Sequence, residues 1–215
     1  IGITGKGSGK VKLGDGNLLF PDADGSANQY IKTDGSANLA FATLPTAGEE
    51  FVSELVASTS SSLDFTNMVS GYDYIYYMMQ VIPATDSTHL LCQMGISGPT
   101  YRTSGYRWSA FQNAEADQNV TAHFTVGGAF VGASELGSGS DEGIFCSDIQ
   151  IHDPAGATFT AAQSRGAFHN AAAEYKLGEG GGQYGTAEAH PAVRFIMASG
   201  NITSGTIQQF RRKRS

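Results

Sequence analysis

Apolar residues recur along this chain in short runs broken by turn formers, and helical spacing is rare. In residues 72–81, Ile75, Tyr77, Met79 and Val81 fall on one side of an extended backbone, and Tyr74, Tyr76, Met78 and Gln80 on the other. Both rows are mostly apolar or aromatic, as in a strand covered on both sides. Pro83 closes the run. Residues 89–96 form the next strand, closed by Gly98-Pro99. Residues 120–130 alternate with glycines inside. In 144–152, Ile144, Cys146 and Asp148 oppose Phe145, Ser147, Ile149 and Ile151. The last two strands are 193–197 and 206–210, with Gly200-Asn201 and Ser204-Gly205 as turn signals between them. Residues 51–56 fit helix or strand by period, and the Ser/Thr run behind them speaks against helix. Only 171–177 has real helix propensity, and Gly178 stops it after two turns. Short strands at intervals of roughly ten residues predict an all-β chain with a jelly-roll-like β-sandwich. No βαβ alternation is present, which excludes a doubly wound fold.

The first 48 residues have a different texture. They are rich in Gly, Asp, Asn and Lys, and their apolar residues come in pairs. Asp24-Gly25-Ser26-Ala27-Asn28 returns ten residues later as Asp34-Gly35-Ser36-Ala37-Asn38. Asp-Gly is a strong turn signal, so the segment reads as turn, strand 29–33, turn, strand from 39. Such a hairpin buries too little to stand alone. It needs a partner surface, and the same segment from identical chains supplies one. The expected organisation is a glycine-rich oligomerising β stalk over 1–48, a β-sandwich over 49–210 and a basic tail over 211–215. Leu18, Leu19, Phe20, Tyr30, Ile31, Leu39 and Phe41 are the candidate assembly residues.

Composition agrees with many tight turns. Glycine occurs 28 times, and charged residues make up 15% of the 215, below the usual quarter. Net charge is −7. Setting aside Arg211-Arg212-Lys213-Arg214 leaves nine basic residues of the 13 against 20 acidic ones, so the body is acidic and only its end is basic. No broad nucleic-acid face is expected. No apolar run of eighteen residues is present, so no spanning helix is expected.

Two stretches resemble known proteins. Leu18-Leu19-Phe20-Pro21-Asp22-Ala23-Asp24-Gly25-Ser26, followed by Gln29-Tyr30-Ile31-Lys32-Thr33-Asp34-Gly35-Ser36, is similar to a short module of phage tail-fibre and other virion proteins that precedes a globular domain. Asp64-Phe65-Thr66, Gly71-Tyr72-Asp73-Tyr74-Ile75, Val81-Ile82-Pro83-Ala84-Thr85-Asp86 and the stretch from Arg194 to Ile207 resemble a β-sandwich domain of phage structural proteins. The chain departs from that pattern at Gln208-Gln209-Phe210, where a hydrophobic strand carrying Tyr-Gly is usual. The resemblance implies a homotrimeric tail-fibre or spike subunit on the exterior of a phage particle, made in the host cytoplasm. It implies contacts with other virion proteins, no enzyme activity and no cofactor. A capsid decoration or head-fibre protein with the same sandwich is the alternative. A fibre-borne glycan-degrading enzyme, which needs two carboxylates facing a groove, and a carbohydrate-binding module unrelated to phage are the other classes.

Chemical motifs are few. Residues 5–10, Gly-Lys-Gly-Ser-Gly-Lys, fail the phosphate-loop spacing, because Thr4 and Val11 occupy its required positions. Residues 180–185 match GxGxxG in spacing but have no strand–helix context and read as a surface loop. The acidic loop at Asp22 lacks the distal Glu of a calcium site and reads as a turn. His89, His123, His152, His169 and His190 show no metal-ligand spacing and read as strand-surface or loop residues. Cys92 and Cys146 lie in apolar runs and read as reduced buried thiols. The best binding candidate is Tyr101, Arg102, Tyr106, Arg107 and Trp108. Aromatic faces stack on sugars and Arg supplies hydrogen bonds, so the cluster suits a host surface glycan. It suits a protein interface equally, and Trp108 also suits a core.

Overall fold

The computed structural model describes residues 12–13, 18–19, 26, 29–33, 39–43, 48–97, 100–114, 118–126, 128–130 and 135–214. The chain is all-β, with no helix among the described residues. It divides into two compact units, Ile1–Thr46 and Ala47–Ser215.

In the first unit β1 (Lys12–Leu13) pairs with β2 (Leu18–Leu19), and β3 (Gln29–Thr33) pairs with β4 (Leu39–Thr43), both antiparallel. Tyr30 faces Ala42 and Ile31 faces Phe41 across the second pair. Tyr30 and Ile31 are 36% and 46% exposed, while Leu39 and Phe41 are half-buried. Phe20 and the repeat's turn at 34–38 lie outside the described residues, as do the side chains of Leu18 and Leu19.

The second unit has two antiparallel sheets. Its strands are β5 (Glu50–Ser60), β6 (Leu63–Phe65), β7 (Tyr72–Pro83), β8 (Leu90–Ile96), β9 (Thr100–Tyr101), β10 (Tyr106–Ala114), β11 (Gln118–Val126), β12 (Ala129–Phe130), β13 (Gly143–His152), β14 (Phe159–His169), β15 (Tyr175–Ala187), β16 (Ala192–Met197) and β17 (Ile202–Lys213). The large sheet has the order β11-β10-β15-β14-β13-β7-β17-β5. The small sheet has the order β12-β8-β16-β6, with β9 beside β8. In chain order β5, β6, β7 and β8 alternate between the large and the small sheet, β12 stays beside β8 in the small sheet, and β13, β16 and β17 alternate again. Two hairpins are inserted into this series, β10–β11 before β12 and β14–β15 before β16, and both widen the large sheet.

One core lies between the layers. Phe65, Tyr76 and Phe195, from β6, β7 and β16, meet edge to face at 5.1, 5.1 and 6.1 Å. Such pairs contribute about 0.5–1.5 kcal/mol each beyond their burial. The fully buried Tyr76 hydroxyl accepts from Gln209 Nε2 at 2.9 Å and donates to Met68 Sδ at 3.1 Å. Tyr106 spans the layers likewise, accepting from the Met94 amide at 2.7 Å and donating to the Arg102 carbonyl at 3.0 Å. Burial pushes both phenols upward in pKa. Where β17 crosses β7 the register shifts, and Gly205 sits at φ +121° with space for no side chain, since an added Cβ would meet Val81 Cα at 2.6 Å.

Three expectations need correction here. Residues 171–177 are a turn followed by the start of β15. The Asn170 side chain accepts from the amides of Ala172 and Glu174 at 3.0 and 2.9 Å, and Ala173 has φ 57°. That side chain offers the backbone a turn in place of a helix too short to nucleate. Residues 180–185 lie within β15 and form no loop. The basic segment is strand through Lys213 and is held by its own unit. Arg211 pairs with Glu50 at 2.9 Å, and Arg214 reaches Asp153 at 3.3 Å. Arg212 approaches the buried Asp73 at 3.5 Å.

Candidate functional site

The five residues of the sequence-derived binding cluster do not converge. Along β10 the even positions point into the core, so Tyr106 and Trp108 are buried, Trp108 at 3% exposure. Arg107 alone of the five is exposed to solvent. Trp108 lies across β15, where only glycine leaves room. A Cβ at Gly180 would meet the indole at 2.9 Å, and one at Gly182 would meet Cε3 at 2.6 Å. The Trp108 Nε1–H finds no acceptor among the described residues. Arg102 is engaged by Glu188 in a bidentate pair at 2.7 and 2.6 Å. Tyr101 packs under the Arg194 guanidinium at 3.9 Å, and Arg194 in turn grips Asp64 at 2.8 and 2.6 Å. Burial and the nearby Asp64 carboxylate push the Tyr101 hydroxyl up to about 12. Neither Tyr106 nor Trp108 presents a face on which a sugar could stack.

A different surface is open. On the outer face of the large sheet two adjoining hollows, of about 560 and 600 Å3, share Asp148, Arg165 and Glu179. One hollow extends to Ser109, Phe111, Gln150, Gln163 and Gly181, and the other to Tyr77, Met79, Tyr175, Leu177 and Gln208. Cross-strand register explains the shared row. Arg165 on β14 faces Asp148 on β13 and Glu179 on β15, and Glu179 faces Phe111 on β10. Arg165 Nε donates to Asp148 Oδ1 at 2.8 Å. Gln208 Nε2 donates to Glu54 Oε2 at 2.7 Å, and the Tyr77 hydroxyl to Glu49 Oε2 at 2.9 Å. The side chains of Gln150, Gln163 and Glu179 have no hydrogen-bond partner or ion pair among the described residues. The outer polar positions of β13, β14 and β15, alternating with buried Ile149, Ile151 and Ala162, are the signal that sequence reasoning passed over.

A third arrangement is closed. His190 lies in the loop between β15 and β16, as one of its two expected placements had it, but its side chain is buried. Its Nδ1 lies 2.7 Å from Thr160 Oγ1 and its Nε2 3.2 Å from Glu188 Oε1. Burial lowers the His190 pKa, against the pull of Glu188, while Arg102 holds Glu188 low. The order hydroxyl, imidazole, carboxylate has the form of a nucleophile relay. Thr160, however, is 1% exposed, so no substrate reaches it. Cys92 is buried, with its thiol pKa raised by burial, whereas Cys146 is exposed at a bulge in β13, contrary to expectation. Among the described residues no His, Cys, Asp and Glu group has the form of a metal site. No helix of the described residues is long and apolar enough to cross a membrane.

No family model, curated protein or solved structure matches the chain.

Proposed function

We propose that this chain is a non-catalytic structural subunit of an external virion assembly, a tail fibre or spike. In this reading residues 1–48 join identical chains into a homotrimer, and the second unit presents a surface to a host glycan or to other virion proteins. The observation that carries the proposal is the hairpin β3–β4, whose Tyr30 and Ile31 remain exposed. A two-stranded hairpin is marginal in water without a further apolar surface, and identical hairpins around an axis supply one. The sequence resemblance to tail-fibre modules falls on these same residues. The division of eight strands into four of each sheet, alternating in chain order except for the paired β8 and β12, supports a jelly-roll reading of the second unit. The inaccessible Thr160 supports a binding role over a hydrolytic one.

Sedimentation equilibrium tests the proposal. The expected mass is three times 22.5 kDa at micromolar concentration, and Tyr30→Ser with Ile31→Ser should shift it to that of one chain. A wild-type chain that sediments as a monomer would sink the assembly reading.

A further inference from the structure

We infer that the trough across the outer face of the large sheet binds a neutral oligosaccharide laid across the strands. The inference names a ligand class for the presenting role proposed above and rests on that reading for its setting only.

The shape favours an extended ligand. From Gln208 on β17 to Phe111 on β10 the trough crosses six neighbouring strands. At a strand spacing of about 4.8 Å its length is roughly 24 Å, enough for several sugar rings. Gly166, Gly178, Gly180 and Gly181 help line it, and a Cβ added at Gly181 would come no nearer than 3.7 Å to any atom. The floor is lowest at Gly181, the outward position of β15 that carries no side chain.

The chemistry favours hydroxyls. The Gln150 and Gln163 amides both donate and accept, and the Glu179 carboxylate accepts two hydrogen bonds. None of the three makes a side-chain hydrogen bond or close ion pair among the described residues, although Glu179 lies within electrostatic reach of Arg165 across the strands. Phe111 and Leu177, 37% and 50% exposed, offer apolar surface to the C–H faces of sugar rings. Charge narrows the class further. The single Arg165 is ion-paired with Asp148 and also faces Glu179, so the shared row carries two carboxylates against one cation in a chain of net charge −7. Sulfated or sialylated glycans meet repulsion there, and neutral ones do not. A second copy of this face is a poorer occupant. Across a two-fold axis a surface meets itself, and two hollows do not fill one another. Charged residues are also depleted from the cores of protein interfaces.

The test applies the full chain to an array of neutral, sialylated and sulfated glycans, with titration calorimetry on every neutral glycan bound. The expected result is binding of one or more neutral oligosaccharides. Gln163→Ala with Glu179→Ala should weaken that binding by about tenfold or more, and Gly181→Tyr should abolish it by filling the trough, with thermal melting preserved in both. Binding of no neutral glycan, binding of anionic glycans alone, or affinity unchanged in both variants would each overturn the inference. So would dissociation of the oligomer by these variants, which would make the face a subunit contact. The Tyr30→Ser, Ile31→Ser chain separates the two proposals, because its per-chain affinity should equal the wild type whatever its mass.

Discussion

The large sheet carries Tyr74, Tyr76, Tyr106, Trp108 and Ile207 on its inner face, all buried. The same strands carry Tyr77, Met79, Phe111 and Leu177 on the outer face, around a hollow. The contrast is sharpest over the three glycines of β15. Gly180 and Gly182 lie flat beneath Trp108, where a methyl group would collide with the indole. Gly181, between them, looks outward into open space. Because side chains alternate across a strand, one residue type does two jobs. Inside, its smallness admits the largest side chain of the core; outside, it leaves a depression between polar neighbours. The difference shows that a glycine run inside a sheet is not one feature, and that each position has to be read by the face it occupies.

Substitution breaks this comparison most directly. Gly182→Ala should destabilise the protein by about 2–3 kcal/mol, because the added carbon sits 2.6 Å from Trp108 Cε3 and closer still to the Arg107 carbonyl. Gly181→Ala should stay within about 0.5 kcal/mol of the wild type. Urea denaturation measures both, and equal effects would erase the distinction between the faces. A smaller effect is expected from acid. An unfolded histidine takes up its proton near pH 6.5, whereas burial keeps His190 neutral to lower pH in the folded chain. Below about pH 6.5 the unfolded state therefore binds more protons, and stability falls as pH falls. Denaturation midpoints at pH 7.5, 6.5 and 5.5 should show this slope, and His190→Gln should flatten it; an unchanged slope in the variant would assign the effect to other groups. The smallest change should follow Arg165→Ala. Its side chain is 74% exposed and its pair with Asp148 lies in water, so the midpoint should not move measurably. A clear drop would show that the outer face is structural after all.

The strands of the frame were legible where apolar runs are long. Those at 72–81, 89–96, 144–152 and 193–197 appear in the structure as β7, β8, β13 and β16 with small changes at their ends. The expectations that failed share a cause. Helix propensity at 171–177 was outweighed by the Asn170 turn and by the pairing of β15 with two neighbours. The glycines at 180–182 look like loop punctuation until Trp108, more than seventy residues earlier, is placed over them. The arginines at 211–214 look like a tail because Glu50, Asp73 and Asp153 are remote in sequence. Of the candidate site, Tyr101–Trp108 was chosen by residue type alone. The alternation of β10 then turned Tyr106 and Trp108 inward, and the open trough draws on six strands whose adjacency no local pattern records.

The two inserted hairpins have a consequence for how such a protein diversifies. Apart from Asp148 and Gln150 on β13, the hollow that ends at Phe111 is contributed by β10, β14 and β15, all of them outside the series of eight. Exchange of the outward-facing residues of these hairpins would remodel the trough proposed above, while the remaining strands of the frame keep their own pairings. The same hairpins bury Tyr106, Trp108 and Phe168 in the core, so variation that keeps the fold is confined to their outward positions.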